Sequence, residues 1–300
     1  MSKKAPRLVY YKQRWQMYFM LLPLVMLYVI FRYIPMGGLV ICFQDYNIFK
    51  GILGSPWVGF DNFSKLFRSS DFITIFRNTL EISLLKIAFG FPAPILLALM
   101  LNEIRSVHYK RICQNIYYLP HFMSWVIIAG LCFDVFSLNG VINQVVQFFG
   151  GEPIFFMSNP HWFRVILVVS DIWKEVGWGS IIYLAALAGV DMQLYEAASL
   201  DGASRYQQVI HVTLPSILST VAIMFVLRMA GILDAGQDQI LMMQNPLVRA
   251  SSEIIDTFVY KQGLEKAKYS YSTAVGLFKS VIALGLVMVS ESLRRKAEEL

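Results

Sequence analysis

Asp171, Trp173, Lys174, Glu175 and Trp178 stand together in one largely apolar stretch. Steps of three and four residues link Asp171, Lys174, Glu175 and Trp178, so in a helix these four share one face. Carboxylates accept hydrogen bonds from hydroxyl groups, and an indole offers a flat apolar surface to the C–H face of a sugar ring. The stripe therefore has the parts to bind a polyhydroxylated solute. It also has the parts for an internal ion pair, Asp171 or Glu175 with Lys174, that locks helices together. Both readings stand at this level. Arg228, and Asp134 at the far end of an earlier apolar run, are secondary candidates for the same wall. Asp234 and Asp238 are candidates for an outer gate or a dock.

A second constellation runs from Glu196 through Ala197, Ala198, Ser199, Leu200, Asp201, Gly202 and Ala203 to Val212, Thr213, Leu214 and Pro215. The pattern predicts two short helices joined by a sharp turn. Tyr195, Ala198 and Ser199 fall on one side of the first helix. Asp201 is a good N-cap for the second, and Gly202 permits close approach or an unusual backbone angle. Ala197, Ala198 and Ala203 leave a low surface on which another protein can sit. Pro215 fits the first turn of the next helix. Taken alone, the segment also reads as an amphipathic surface helix.

Other chemistry has no footing in the sequence. There is no Gly-x4-Gly-Lys-Ser/Thr loop to cradle phosphates, no His-Glu-x-x-His and no Gly-x-Ser-x-Gly. His108, His121, His161 and His211 show no ligand spacing, and Cys42, Cys113 and Cys132 form neither a metal set nor a disulfide framework. Asn62-Phe63-Ser64 matches a glycosylation sequon, a three-residue match that is common by chance.

The elements that carry these residues belong in a bilayer. Of 300 residues, 56% are hydrophobic and only 15% charged, where a soluble domain carries about 25% charged. Mean hydropathy is +0.54. This excludes disorder, a disulfide scaffold and an ordinary cytosolic enzyme. In such a chain the net charge of +6 reflects cytoplasmic Lys and Arg rather than nucleic-acid binding. A bilayer core of about 30 Å needs about 20 apolar helical residues. Six spans meet that need: residues 15–38, 79–101, 115–137, 164–190, 215–233 and 272–293. The first is a retained anchor, since its apolar run is too long for a signal peptide and no small-residue cleavage site follows. Lys3, Lys4, Arg7, Lys12 and Arg14 at one end, and Arg294, Arg295 and Lys296 at the other, place both termini in the cytoplasm. Arg105, Lys110 and Arg111 put the loop after the second span there too. Residues 138–163 lack Lys and Arg and are expected outside, as are the long loops 39–78 and 234–271.

The spans are not uniformly apolar. Arg32, Glu81, Lys86, Asp134, Asp171, Lys174, Glu175, Arg228 and Lys279 lie within them or at their edges. Each costs roughly 2.5–3.5 kcal/mol at a helix centre on insertion scales. Arg32, Glu81, Arg164 and Lys279 read as end residues that snorkel. The span-four cluster implies a polar interior. Pro92 and Pro94, beside Gly90, should bend the second span and make room for a cavity.

The spacing Glu-Ala-Ala, three residues, Gly, nine residues, then aliphatic-x-Leu-Pro resembles the EAA loop of ABC importer permeases, with Val212 where Ile is usual. Phe43-Gln44-Asp45-Tyr46-Asn47 and Trp57-Val58-Gly59-Phe60-Asp61-Asn62-Phe63 are similar to outer-loop segments of carbohydrate importer permeases. Residues 118–126 (Tyr118-Leu119-Pro120-His121 onward) and 271–276 resemble the LplB/YteP-like oligosaccharide branch. The resemblance covers nearly the whole chain. It implies an all-α integral membrane protein of a bacterial cell membrane. Its core would be a MetI-like type I importer permease of five helices at residues 73–292. Residues 1–72 would supply the tail, first span and outer loop, and residues 293–300 a cytoplasmic tail. The loop with Glu196, Ala197, Ala198, Asp201, Gly202, Ala203, Leu214 and Pro215 would be the coupling helix, docking on a separate ATPase. The implied partners are a second, usually different permease, two ATPases, an external solute-binding protein and membrane lipid, with no nucleic acid. ATP and Mg would bind the ATPase, and no cofactor would bind this chain. The substrate would be an oligosaccharide. Two other classes remain open from the residues alone. An ion-coupled carrier would use the span-four charges but leave the loop without a role. A membrane-embedded enzyme would need a paired acid and base at the surface, and none is present.

Overall fold

The computed structural model describes residues 15–298, with side chains described to residue 288. The basic side chains that orient the two ends in the sequence lie outside the described side chains. The described residues form helices joined by short loops, and their single β contact is an isolated bridge between Gln44 and Trp57.

The helices are α1 (Trp15–Phe43), α2 (Asp61–Arg68), α3 (Ser70–Asn102), α4 (Val107–Phe122) and α5 (Trp125–Val135). They continue as α6 (Val141–Phe148), α7 (Pro160–Ala188), α8 (Met192–Leu200), α9 (Arg205–Ser216) and α10 (Leu218–Ala230). The last are α11 (Gln237–Met243), α12 (Ile255–Tyr260) and α13 (Tyr269–Glu298). By length and composition, α1, α3 and the Tyr269–Met288 part of α13 can each cross a membrane. The pairs α4/α5 and α9/α10 reach that length only when joined, and they bend by 101° and 61°. At 29 residues, α7 is about 43 Å long, and it carries the charges Arg164, Asp171, Lys174 and Glu175.

The two bends correct the straight third and fifth spans expected from hydropathy. Pro120 sits in a 3-10 turn, and Ser124 then caps α5 by accepting the Ile127 N–H. The chain therefore restarts its helix in a new direction. In α9, the Leu214 N–H donates to the Val209 carbonyl, a five-residue bond just ahead of Pro215. Proline has no N–H for the regular ladder, so the turn before it widens. The same device precedes Pro35 in α1, where Ile34 donates to Val29. Pro215 thus lies before the break at Ile217 rather than opening the next long helix.

The central helix is α7, packed against α3, α4 and α10. Its N-terminal half shares a core with α5 and α11 through Ile128, Phe163, Leu167 and Ile240. Its C-terminal half shares another with α3 and the α9/α10 corner through Ala98, Tyr183, Leu187 and Ile217. Where α7 crosses α4, a Cβ on Gly177 would lie 1.9 Å from the Tyr117 carbonyl oxygen. Only glycine lets the two backbones meet. Gly177→Ala should destabilise the solubilised protein by about 1–3 kcal/mol, read as a lowered thermal midpoint. Gly130→Ala, with nothing within 4 Å of the added carbon, is the matched control. Equal midpoints for the two variants would remove this contact from the account.

Of the charges expected to snorkel, Glu81, Arg164 and Lys279 are paired instead. Arg164 meets Glu81 at 2.7 Å and donates to Asn78 Oδ1 (2.9 Å) and the Ser251 carbonyl (3.0 Å). Lys279 binds both oxygens of Asp256, whose carboxyl burial pushes up against that bond. Arg32 is exposed. Asn62 is buried, and its amide donates to the carbonyls of Cys42 and Gln44. The sequon match is thus a structural pin.

Candidate functional site

A cavity lies beside α7, next to residues 90–94 of α3. It measures about 370 Å³ and is lined by Lys86, Phe91, Pro94, Trp125, Asp171, Glu175, Trp178, Tyr183, Arg228 and Asp234, among others. The expected cavity is therefore present, while α3 runs past the two prolines as one continuous 33-residue helix.

The stripe on α7 divides its duties. Lys174 turns to the α4/α5 bend, where Nζ donates to the carbonyls of His121 (2.5 Å) and Met123 (2.9 Å). A 101° bend leaves carbonyls without helical partners, and a buried ammonium is well matched to them. The same ammonium lies 5.7 Å from the Trp125 ring centre. Glu175 Oε1 is 3.7 Å from Lys174, while Oε2 meets His121 Nδ1 at 2.8 Å. The Glu175 side chain is still 44% exposed, toward the cavity it lines. Trp178 stacks flat on His121, with centres 4.5 Å apart and planes 3° apart, and meets Phe122 edge-on.

Asp171 belongs to both readings. It lines the cavity, yet it accepts from Lys86 Nζ at 2.9 Å. Lys86 is only 3% exposed and also donates to Gln239 Oε1. Gln239 in turn donates to the Leu167 carbonyl and Ser170 Oγ. A buried ammonium is tolerable only when paired and hydrogen-bonded, and this network supplies both conditions. Arg228 reaches the cavity from α10 and Asp234 from the segment after it. Trp173, Asp134 and Asp238 are not among its lining residues, and Asp134 is exposed near the end of α5. Sequence reasoning gave no role here to Lys86, His121, Trp125 or Gln239. Lys86 had a visible signal, since a lysine deep in a span needs an anion at its own depth. Among the described residues, no three His, Cys, Asp or Glu side chains converge to hold a metal.

Beyond the C-terminal end of α7 lies the second constellation. Asp191 caps α8 by accepting the Gln193 N–H. The helix ends in a Schellman motif: Ala203 N–H donates to Ala198 O and Gly202 N–H to Ser199 O. Gly202 has φ +79°, and a Cβ there would meet nothing within 4 Å. Its requirement is therefore left-handed backbone and not close packing. Asp201 is the C-cap of α8 and not the N-cap of α9. That N-cap is Ser204, in a reciprocal capping box with Gln207. The two helices are tied by Gln208, which donates to Ser199 Oγ and Ala203 O, and by Tyr195 hydroxyl to Thr213 (2.9 Å). Glu196 and Ala197 remain exposed, and Glu196 has no hydrogen bond or ion pair among the described residues.

A charged cavity inside apolar helices, with a self-held exposed loop at one end, is the design of a membrane transport subunit. The family profile of the binding-protein-dependent transport system inner membrane component matches residues 90–297. The chain is 45% identical, over 99% of its length, to the polygalacturonan/rhamnogalacturonan transport system permease protein YteP of Bacillus subtilis (strain 168), covering 93% of it. Protein LplB of the same organism is 44% identical over 96% of this chain and 91% of its own length. A chain of a bacterial ABC transporter involved in import of the acidic polysaccharide alginate has 42% identity and a TM-score of 0.89. That match covers 97% of this chain and 99% of the other. A chain of a bacterial alginate ABC transporter in complex with an alginate pentasaccharide-bound periplasmic protein matches at 41% identity and TM-score 0.88, covering 96% of each chain. The chain belongs to the family of binding-protein-dependent transport system inner membrane components. It is a permease subunit with a MetI-like fold, and not an enzyme.

Proposed function

We propose that this chain forms half of the translocation pathway of an ATP-driven oligosaccharide importer. The observation that carries the reading is the α8–α9 loop. Its polar groups are satisfied within the loop, yet Glu196 and Ala197 are left facing outward. An ion-coupled carrier has no use for such a surface, whereas a cytoplasmic ATPase does. The saccharide reading draws on relatives named for polygalacturonan, rhamnogalacturonan and alginate import.

In this reading α7 is the fourth of six spans, residues 73–292 are the core, and both termini and the α8–α9 loop are cytoplasmic. A second permease completes the pathway, two ATPases bind ATP and Mg, and an external binding protein delivers the sugar. Glu175 and Trp178 meet the solute, with Asp171 and Arg228 on the same wall. Lys174 holds the α4/α5 bend, and Trp173 and Asp134 serve outside the cavity.

The test is uptake by the complete transporter in liposomes, supplied with its binding protein and alginate- or galacturonan-derived oligosaccharides. The chain alone should hydrolyse no ATP. Glu175→Gln and Trp178→Ala should each reduce uptake severalfold while the complex still assembles. Normal uptake in both would remove them from the pathway. Labelling of a cysteine at position 205 from outside intact cells would overturn the topology and the coupling loop together.

A further inference from the structure

His121 touches both Glu175 and Trp178, although it belongs to a different element. It lies in the 3-10 turn that ends α4, and it is not among the residues lining the cavity. Its Nδ1 donates to Glu175 Oε2 at 2.8 Å, since a carboxylate can only accept. Its ring lies flat on the Trp178 indole, with centres 4.5 Å apart and planes 3° apart. The hydrogen bond runs in the plane of the imidazole, and the stack runs perpendicular to that plane. The two contacts therefore fix Glu175 and Trp178 along different directions. Histidine suits this place because an imidazole combines a flat face with an in-plane N–H. Its own backbone is fixed too, since Lys174 on the same helix donates to the His121 carbonyl at 2.5 Å. Phe122 closes the arrangement, meeting the imidazole and the indole edge-on.

We infer that His121 is a positioning residue, which holds Glu175 and Trp178 in the one arrangement that a saccharide meets. The inference rests on the reading of those two residues as solute contacts. On an open helix face, a glutamate and a tryptophan each sample several rotamers. A solute that ordered them on arrival would lose affinity by doing so. Here the imidazole has already selected one arrangement. It occupies one acceptor site of the Glu175 carboxylate, and Lys174 at 3.7 Å is beyond hydrogen-bond reach. Acceptor capacity for sugar hydroxyls therefore remains. The imidazole covers one face of the indole, yet Trp178 stays 46% exposed. That leaves apolar ring surface for the C–H side of a sugar. Carboxylate and indole thus reach the solute as one prearranged surface, set from behind by a residue outside the cavity lining.

The experiment compares His121→Ala, His121→Asn and His121→Phe in the complete transporter in liposomes. Its binding protein is loaded with trigalacturonate or an alginate trisaccharide, and uptake and ATP hydrolysis are measured together. Asn keeps a donor for Glu175, Phe keeps the stack on Trp178, and Ala keeps neither. His121→Ala should lower maximal uptake about tenfold, equivalent to about 1.4 kcal/mol, with Asn and Phe falling between it and the wild type. The half-saturating concentration of loaded binding protein, and the hydrolysis it stimulates, should stay within about twofold of wild type. Fewer sugars then cross per ATP. Added to Trp178→Ala, His121→Asn should cost nothing further, and added to Glu175→Ala, His121→Phe should cost nothing further. Uptake and hydrolysis falling in parallel, or additive losses in those double variants, would make His121 a mere support of the bundle and overturn the inference. If His121→Ala fails to assemble, the Asn and Phe variants and their double variants still decide. Normal uptake in His121→Ala, with Glu175→Gln and Trp178→Ala impaired, would refute the positioning role and leave the pathway intact. Normal uptake in all three, or failure of the wild type to import either trisaccharide, would instead remove the saccharide pathway and the inference with it.

Discussion

Lys86→Met will destabilise the helix bundle by about 3 kcal/mol, and adding Asp171→Leu will recover most of that loss. The single change leaves the Asp171 carboxylate in the cavity wall without its ammonium, and it strips Gln239 Oε1 of a donor. Breaking a buried pair costs about 3–5 kcal/mol, whereas replacing both partners with apolar groups is often near neutral. The lower figure applies because Asp171 also lines the cavity and keeps 16% of its side chain exposed. Thermal midpoints of the wild type, both single variants and the double variant give the coupling energy directly. Additive losses would show that the pair does not hold α3 to α7. The double variant should remain assembled but import poorly if the wall charge serves the solute as well as the bundle.

The second large effect lies in the α8–α9 loop. Gly202→Val forces a β-branched residue to a φ of +79°, at a local cost of about 1–3 kcal/mol. Because no atom lies within 4 Å of the added carbon, the cost is backbone strain alone. A graded series follows. Asn, which tolerates left-handed backbone, should retain most uptake, Ala should lose part, and Val nearly all. Membrane insertion should be unchanged throughout, since the capping motif touches no spanning helix interior. Glu196→Ala should weaken ATPase co-purification without abolishing it, because a charge-assisted bond contributes roughly 1.5–3 kcal/mol. If Val and Asn behave alike, the turn is not what transmits motion, and wild-type coupling in Glu196→Ala would leave the loop an ordinary surface helix.

Much of this was legible from spacing alone, and the remainder has specific physical causes. The three- and four-residue steps correctly placed Asp171, Lys174, Glu175 and Trp178 on one face of one helix. Periodicity says which residues share a face, but not what that face meets. Lys86 joins Asp171 across 85 positions, and His121 joins Glu175 across 54. No local pattern encodes such pairings. The bend at Pro120–Ser124 was hidden because an apolar run looks the same straight or folded. Yet it freed the two carbonyls that turned Lys174 away from the cavity. The misassigned cap at Asp201 had a readable remedy. Ser204-x-x-Gln207 is a capping box, and it outranks a lone Asp beside a glycine that ends the preceding helix.

The capping of α8 and α9 also bears on the thermodynamics of assembly. Segments that fold only on contact surrender chain freedom at that moment, and their affinity falls accordingly. Here the Schellman turn, the Ser204–Gln207 box and the Gln208 bridge have already ordered the backbone inside this single chain. A docking protein meets a finished shape, so little ordering entropy is lost on association. Recognition at this surface should resemble the insertion of a rigid key more than the folding of a flexible tail. Its rate of engagement should then be governed by diffusion and charge rather than by conformational search.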